Sequence, residues 1–358
     1  MESFNKNNRT SVQKTSVKQQ KVQYVQNKAV DYDLIQSLLN VSSEANQWTN
    51  FGPLSKLLEV QIAKELDLDD DLRVVACCNA TVALHSLAAL HQTIAKRPLR
   101  WAASAFGFYS SIDGILCDAE IVDCNTDAML DLTQLDPSSV DGLIVTNVFG
   151  YAQDLATYRA YAELHNKILI VDSAMAYHPG GHGPNECISL HHTKPWGFGE
   201  GGCAIVHKDH EAMFRDLISF GHSKPDAPIY RIAVNGKISD IACAFILMRL
   251  EQMQSLRAIY QQQYQRIANV SKACGLSILA NAEKHPGIPA SVPLLLPDIL
   301  DDITCGDFPV KRYYHPLTKT KLANEIYGRI INIPCHPDMV QYSDEDITQV
   351  VKTLIARI

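Results

Sequence analysis

The sequence contains no run approaching the roughly 18 consecutive apolar residues that a membrane helix needs, and its first residues lack the apolar core of a signal peptide. A soluble, cytoplasmic protein is expected. Ten cysteines never form a C-x-x-C pair and mostly sit inside apolar strings, so neither a zinc ribbon nor a disulfide framework is written here. The thirteen histidines include no H-E-x-x-H arrangement, and no metal site is expected. Excess positive charge is also missing: 32 Lys and Arg stand against 39 Asp and Glu, which speaks against a general nucleic-acid-binding surface.

What is present is enough apolar material for a large core. Apolar residues make up 46% and charged residues 20% of 358 residues, a length suited to one large α/β domain with a smaller companion. The first 30 residues carry six basic side chains, one acid and no apolar period, and residues 1–47 are expected to form a flexible N-terminal arm. Order is expected to begin near Trp48, where Asn50-Phe51-Gly52-Pro53 places a proline at a helix start.

Strands and helices then alternate. Arg73–Cys77, Glu120–Asp123, Gly142–Thr146 and Ile168–Val171 read as short strands, with helices over Thr81–Leu90 and Tyr158–His165. This rhythm predicts an α/β fold with a large, mostly parallel sheet and helices on both faces. The large domain is expected over residues 48–245. A long amphipathic helix from Ser239 to about Val270 should lead into a small C-terminal α/β domain, residues 246–358, with strands at Val292–Leu296 and Pro309–Tyr314 and a final helix from Ser343.

Ligands of such sheets gather at the carboxyl ends of the strands. Asp172 ends the strand Ile168–Val171 and reads either as a turn cap or as a carboxylate paired with a protonated heteroaromatic nitrogen. Lys194 follows a hydroxyl-bearing lead-in, Ser189 to Thr193, and precedes a turn containing Gly199, Gly201 and Gly202. An isolated Thr-Lys reads as surface; burial would lower the lysine pKa and free the amine for a Schiff base. Cys78-Asn79-Ala80-Thr81 runs from strand to helix, where exposed amides suit a phosphate and Asn79 alternatively serves as a helix cap.

In their order and spacing, Thr81, Asp172, Ser189 and Lys194 resemble the DegT/StrS family of pyridoxal-phosphate-dependent sugar aminotransferases. Further matching segments are Phe106-Gly107-Phe108, Val148-Phe149-Gly150, Val234 to Asp240, Tyr313-Tyr314-His315-Pro316 and Pro334-Cys335-His336-Pro337. The resemblance implies an aspartate-aminotransferase-like fold, pyridoxal 5'-phosphate as cofactor, and Lys194 as the Schiff-base lysine that also moves protons. It implies that Asp172 pairs with the pyridinium nitrogen and that Phe108 stacks on the ring, a position also readable as core aromatic. Asn79, Ala80, Thr81 and Ser189 would hold the phosphate, helped by Ser219 from a partner chain in a homodimer.

Asn235, Lys237, Tyr314 and His336 would contact substrate. The substrate would be a keto or aldehyde sugar, nucleotide-linked, with a glutamate-like donor and a place in polysaccharide biosynthesis. Sugar dehydratases of the family carry histidine at the lysine position, so the retained Lys194 implies transamination. Three positions depart from the family pattern: Ala80 replaces a glycine, Met175 replaces a glutamine or histidine, and Ser219 replaces an asparagine. They open the alternative of a catalytically silent member that binds cofactor or sugar nucleotide in a regulatory or assembly role.

Overall fold

The computed structural model describes residues 21–152, 155–221 and 232–358. In chain order the elements are α1 (Tyr32–Glu44), α2 (Pro53–Glu65), β1 (Leu72–Cys77), α3 (Ala80–Ala95), β2 (Trp101–Ser104), β3 (Glu120–Val122), β4 (Gly142–Thr146), α4 (Ala156–Leu164), β5 (Ile168–Asp172) and β6 (Glu186–Ser189). There follow β7 (Gly202–His207), α5 (Glu211–Leu217), α6 (Asp240–Ala273), β8 (Ser277–Ile278), β9 (Ser291–Leu295), α7 (Lys321–Arg329), β10 (Ile330–Pro334) and α8 (Asp344–Ile355).

The large sheet has seven strands in the order β1-β7-β6-β5-β4-β2-β3. β7 runs antiparallel to both neighbours, and the pairs from β6 to β3 are all parallel. Their interiors read as continuous apolar strings because both faces are covered, as the Gly142–Thr146 and Gly202–Val206 burial shows. One consequence positions the site: Asp172 at the end of β5, Ser189 at the end of β6 and the β1–α3 turn after Cys77 come to one edge, where the register pairs both Cys77 and Ser189 with Gly202.

A second sheet, β10-β9-β8, is antiparallel. It packs with α6 and α8, and one apolar cluster runs from Leu54 and Ile62 of α2 through Ile246 of α6 to Leu294 and Val351. The long helix crosses the boundary expected at residues 245 and 246. Its first residue, Asp240, is fully buried and ties three helices together: its carboxylate accepts from Ser42 Oγ at 2.6 Å and from the Leu54 and Ser55 amides at 3.0 and 3.2 Å. This carboxylate satisfies orphan amides at the start of α2, whose own cap, Gly52, has no side chain to do so.

Two expectations fail. The arm does not extend to residue 47: α1 begins after Asp31, whose carboxylate accepts from the Leu34 amide at 3.0 Å, and Ile35 is buried while Leu34, Leu38 and Leu39 pack on the core. Residues 21–31 also dock, with Val22 and Lys28 buried. The part of the arm covering residues 1–20 lies outside the described residues. Nor is Pro309–Tyr314 a strand. Only Lys311 pairs, with Asn332 of β10, because the Arg312 guanidinium takes the Ile330 carbonyl on that edge and the ladder stops.

Candidate active site

The carboxyl edge of the large sheet opens into a cavity of about 420 Å³. Of the residues singled out in the sequence, Asn79, Ala80, Thr81, Phe108, Asp172, Ser189, Lys194 and Tyr314 line it. Ser219, Asn235, Lys237 and His336 do not. His336 sits behind the wall, its Nε2 2.9 Å from the Gln23 carbonyl, beside a small cleft that also touches Lys194. Ser219 bridges Asn235, and the Lys237 ammonium donates to Asn235 Oδ1 at 2.7 Å while lying 4.4 Å above the Phe220 ring.

Asp172 is 3% exposed, and its Oδ1 accepts from the Ala174 amide at 3.0 Å. Burial pushes its pKa up, opposed by the Ala174 amide and by the Lys194 ammonium. Burial pushes the Lys194 amine down to about 8, with Asp172 acting the other way. The two groups therefore share a desolvated space in which each favours the other's charge. Lys194 Nζ donates to the thioether of Met175 at 2.8 Å.

The lysine is carried on a tight turn that follows β6. Lys194 N–H donates to the His191 carbonyl at 2.9 Å and Gly197 N–H to the Lys194 carbonyl at 3.1 Å. A Cβ on Gly197 would lie 2.2 Å from the His191 carbonyl oxygen, so only glycine lets the chain close here. Ser189 is buried beneath, its Oγ accepting from the His191 amide at 3.3 Å and its carbonyl from the Trp196 indole at 2.8 Å.

The start of α3 also lines the cavity. Asn79 does cap the helix, Oδ1 accepting from the Val82 amide at 2.8 Å, which leaves the Ala80 and Thr81 amides in the first turn, ahead of any helical acceptor. β7 crosses directly behind this turn: a Cβ on Gly202 would meet the Ala80 nitrogen at 2.4 Å. Phe108, 54% exposed, stands at the mouth with much of its surface uncovered. Tyr314 is buried against Phe149, ring centroids 5.1 Å apart, and receives the Phe149 amide at 3.4 Å.

Sequence reasoning missed several lining residues. Tyr24 belongs to the segment read as flexible, yet it lines the cavity, 5.8 Å from the Tyr313 ring with the Lys311 ammonium 5.0 Å over its own ring. Thr146 and Asn147 follow from β4, whose carboxyl end reaches the same edge; the strand was legible, and its last residue was the available signal.

These parts suit a phosphate-bearing pyridine aldehyde: a depressed lysine, a buried carboxylate and a helix start that offers amides to an anion. The sequence profile of the DegT/DnrJ/EryC1/StrS aminotransferase family matches residues 31–294. The chain belongs to that family. As a family of pyridoxal-phosphate-dependent sugar aminotransferases, it assigns pyridoxal phosphate as cofactor and amino transfer as the reaction class. Among curated proteins, the chain is similar to the dTDP-4-amino-4,6-dideoxy-D-glucose transaminase of Shigella dysenteriae, 22% identical over 88% of this chain and 93% of its own. The fold is shared with Helicobacter pylori PseC, an aminotransferase involved in the biosynthesis of pseudoaminic acid, at a TM-score of 0.75 and 17% identity over 95% of this chain and all of the other. A DegT DnrJ EryC1 StrS aminotransferase from Brucella abortus gives 0.73 and 17% over 90% and 95%. Among the described residues no helix is long and apolar enough to cross a membrane.

Proposed function

We propose that this chain aminates a keto or aldehyde carbon of a nucleotide-linked sugar, taking the amino group from glutamate or a similar donor. The observation that carries the reading is that the Lys194 amine, lowered by burial, and the buried Asp172 carboxylate line one cavity. The nucleotide-linked substrate is supported by the activity named for the Shigella dysenteriae relative.

Pyridoxal phosphate, when bound, supplies an electron-withdrawing ring able to stabilise negative charge on the carbon that loses its proton. Asp172 would hold the proton on the ring nitrogen; a carboxylate without water around it does this more strongly than one in solvent. Lys194 would anchor the cofactor and, as the free amine, take and return the proton at the reacting carbon, a task suited to a lysine lowered to about 8. The amides of Ala80 and Thr81 and the hydroxyls of Thr81 and Ser189 would hold the phosphate. Phe108 would cover one ring face.

The family resemblance supports a homodimer in which Ser219, Asn235 and Lys237 would serve the neighbour's site; none of the three lines the cavity of its own chain, which is compatible with that role. Tyr314 remains the substrate contact from within the chain. Purified protein loaded with cofactor should show a visible absorbance band that shifts on adding glutamate. A chain that stays colourless with added cofactor would instead be a silent binding member, and the proposal would fall.

A further inference from the structure

Beneath the Lys194 turn lies a second lysine. Lys28 is 7% exposed, and its ammonium donates to the carbonyls of His192 and Lys194, both at 2.6 Å, and to that of Gly197. Arg249, 1% exposed, approaches the same turn: Nε donates to the Pro195 carbonyl at 2.7 Å, and a terminal nitrogen to Gln26 Oε1 at 2.6 Å. Gln26 Oε1 also accepts from the Tyr260 hydroxyl at 2.8 Å. Two buried cations thus hold four of the six carbonyls between His192 and Gly197.

A tight turn has no strand ladder to satisfy its carbonyls, and an unmet buried carbonyl is costly. Two like charges placed side by side are costly as well. Burial and the Arg249 guanidinium both push the Lys28 ammonium down. The three carbonyls work against this, because only the ammonium has three N–H groups to give. An arrangement that tolerates such repulsion to fix one turn makes that turn's geometry matter.

We propose that Lys28 is a positioning residue for Lys194: the ammonium, delivered by the docked segment before α1, locks the 191–197 turn and holds the Lys194 amine in its desolvated place. The same segment carries Tyr24 into the cavity wall, so docking it completes the site and fixes the lysine together. The inference rests on Lys194 as the reacting amine.

The test uses the full chain without cofactor, so that a failure of the proposed function would leave it readable. Lys28→Met keeps an unbranched stem and removes the donors. Hydrogen exchange of the amides in 191–199 should accelerate about tenfold while the exchange of β4 and β5 stays unchanged. The pH midpoint for reductive methylation of Lys194 should rise from about 8 toward the free-lysine value, by roughly one unit. A purely structural role elsewhere would not move that midpoint. Unchanged exchange and an unchanged midpoint in a folded variant overturn the proposal. Lys28→Gln, which keeps two N–H donors, should give smaller changes in the same direction. If neither variant folds, wild-type protein decides: Lys28, closed off from solvent and held by three carbonyls, should stay unmethylated under conditions that label Lys194, and equal labelling of the two overturns the assignment.

Discussion

The Lys194 amine has a sulfur for its neighbour: Met175 Sδ lies 2.8 Å from Nζ, where the related family pattern has glutamine or histidine. A thioether is a weak acceptor and leaves the ammonium poorly compensated, so burial prevails and the lysine drops to about 8. Met175→Gln should therefore raise the Lys194 pKa, since an amide oxygen stabilises the charged form. The expected rise is roughly half to one unit, read from the pH dependence of reductive methylation mapped to Lys194. A midpoint unmoved by the substitution would show that Met175 does not govern this amine.

The same lysine makes a stability prediction with a definite sign. Its pKa falls from an ordinary 10.5 to about 8 on folding, so the folded state penalises the charged form. That penalty is fully present below pH 8 and fades as pH rises from 8 to 10.5. Lys194→Met removes it and, in cofactor-free protein, should stabilise the chain by about 1–3 kcal/mol at pH 7 and by little near pH 10.5. Denaturant melts at the two pH values check this; a gain that grows with pH contradicts it.

The buried Asp172 carboxylate should separate activity from folding. Asp172→Asn keeps the shape and can leave the Ala174 amide satisfied, while it removes a charge that burial disfavours. The variant should melt no lower than the parent, yet kcat should fall roughly 10- to 100-fold for loss of a charged hydrogen bond to the cofactor. A near-normal kcat would return Asp172 to capping the turn after β5. Lys194→Ala should abolish turnover, and borohydride reduction of loaded wild-type protein followed by peptide mapping should label Lys194.

Much of the site was legible because parallel strands bring chain-distant ends to one edge: the strand pattern alone places Asp172, and Ser189 and Lys194 follow from the motif after it. The boundaries of β4 agree with the apolar run Gly142–Thr146, since both faces of that strand are buried. What escaped was structure made by single polar contacts. Nothing in the composition of residues 21–31 marks Lys28, whose burial depends on carbonyls of a turn more than 160 residues away. Tyr24 was hidden for the same reason. The Pro309–Tyr314 segment shows the reverse error: Val310, Tyr313 and Tyr314 read as strand formers, but Arg312 between them takes the Ile330 carbonyl on the edge the segment would pair with.

The proposed homodimer can be tested by complementation. Lys237 and Asn235 stand outside the cavity of their own chain, and the nearby Phe220 and Ile241 expose 60% and 53% of their surface, an apolar presentation suited to an isologous contact. If Lys237 serves the neighbour, each site needs Lys194 from one chain and Lys237 from the other. Lys194→Ala chains and Lys237→Ala chains should each be inactive or nearly so. When the two are unfolded, mixed in equal amounts and refolded, half the dimers are hybrids, and each hybrid pairs the intact Lys194 of one chain with the intact Lys237 of the other at one of its two sites. Roughly a quarter of wild-type activity should return. If Lys237 instead serves its own chain, the hybrid has no complete site, because each chain lacks one of the two lysines, and activity stays at the level of the separate variants. A fully active monomer by light scattering at micromolar concentration would refute the shared site outright.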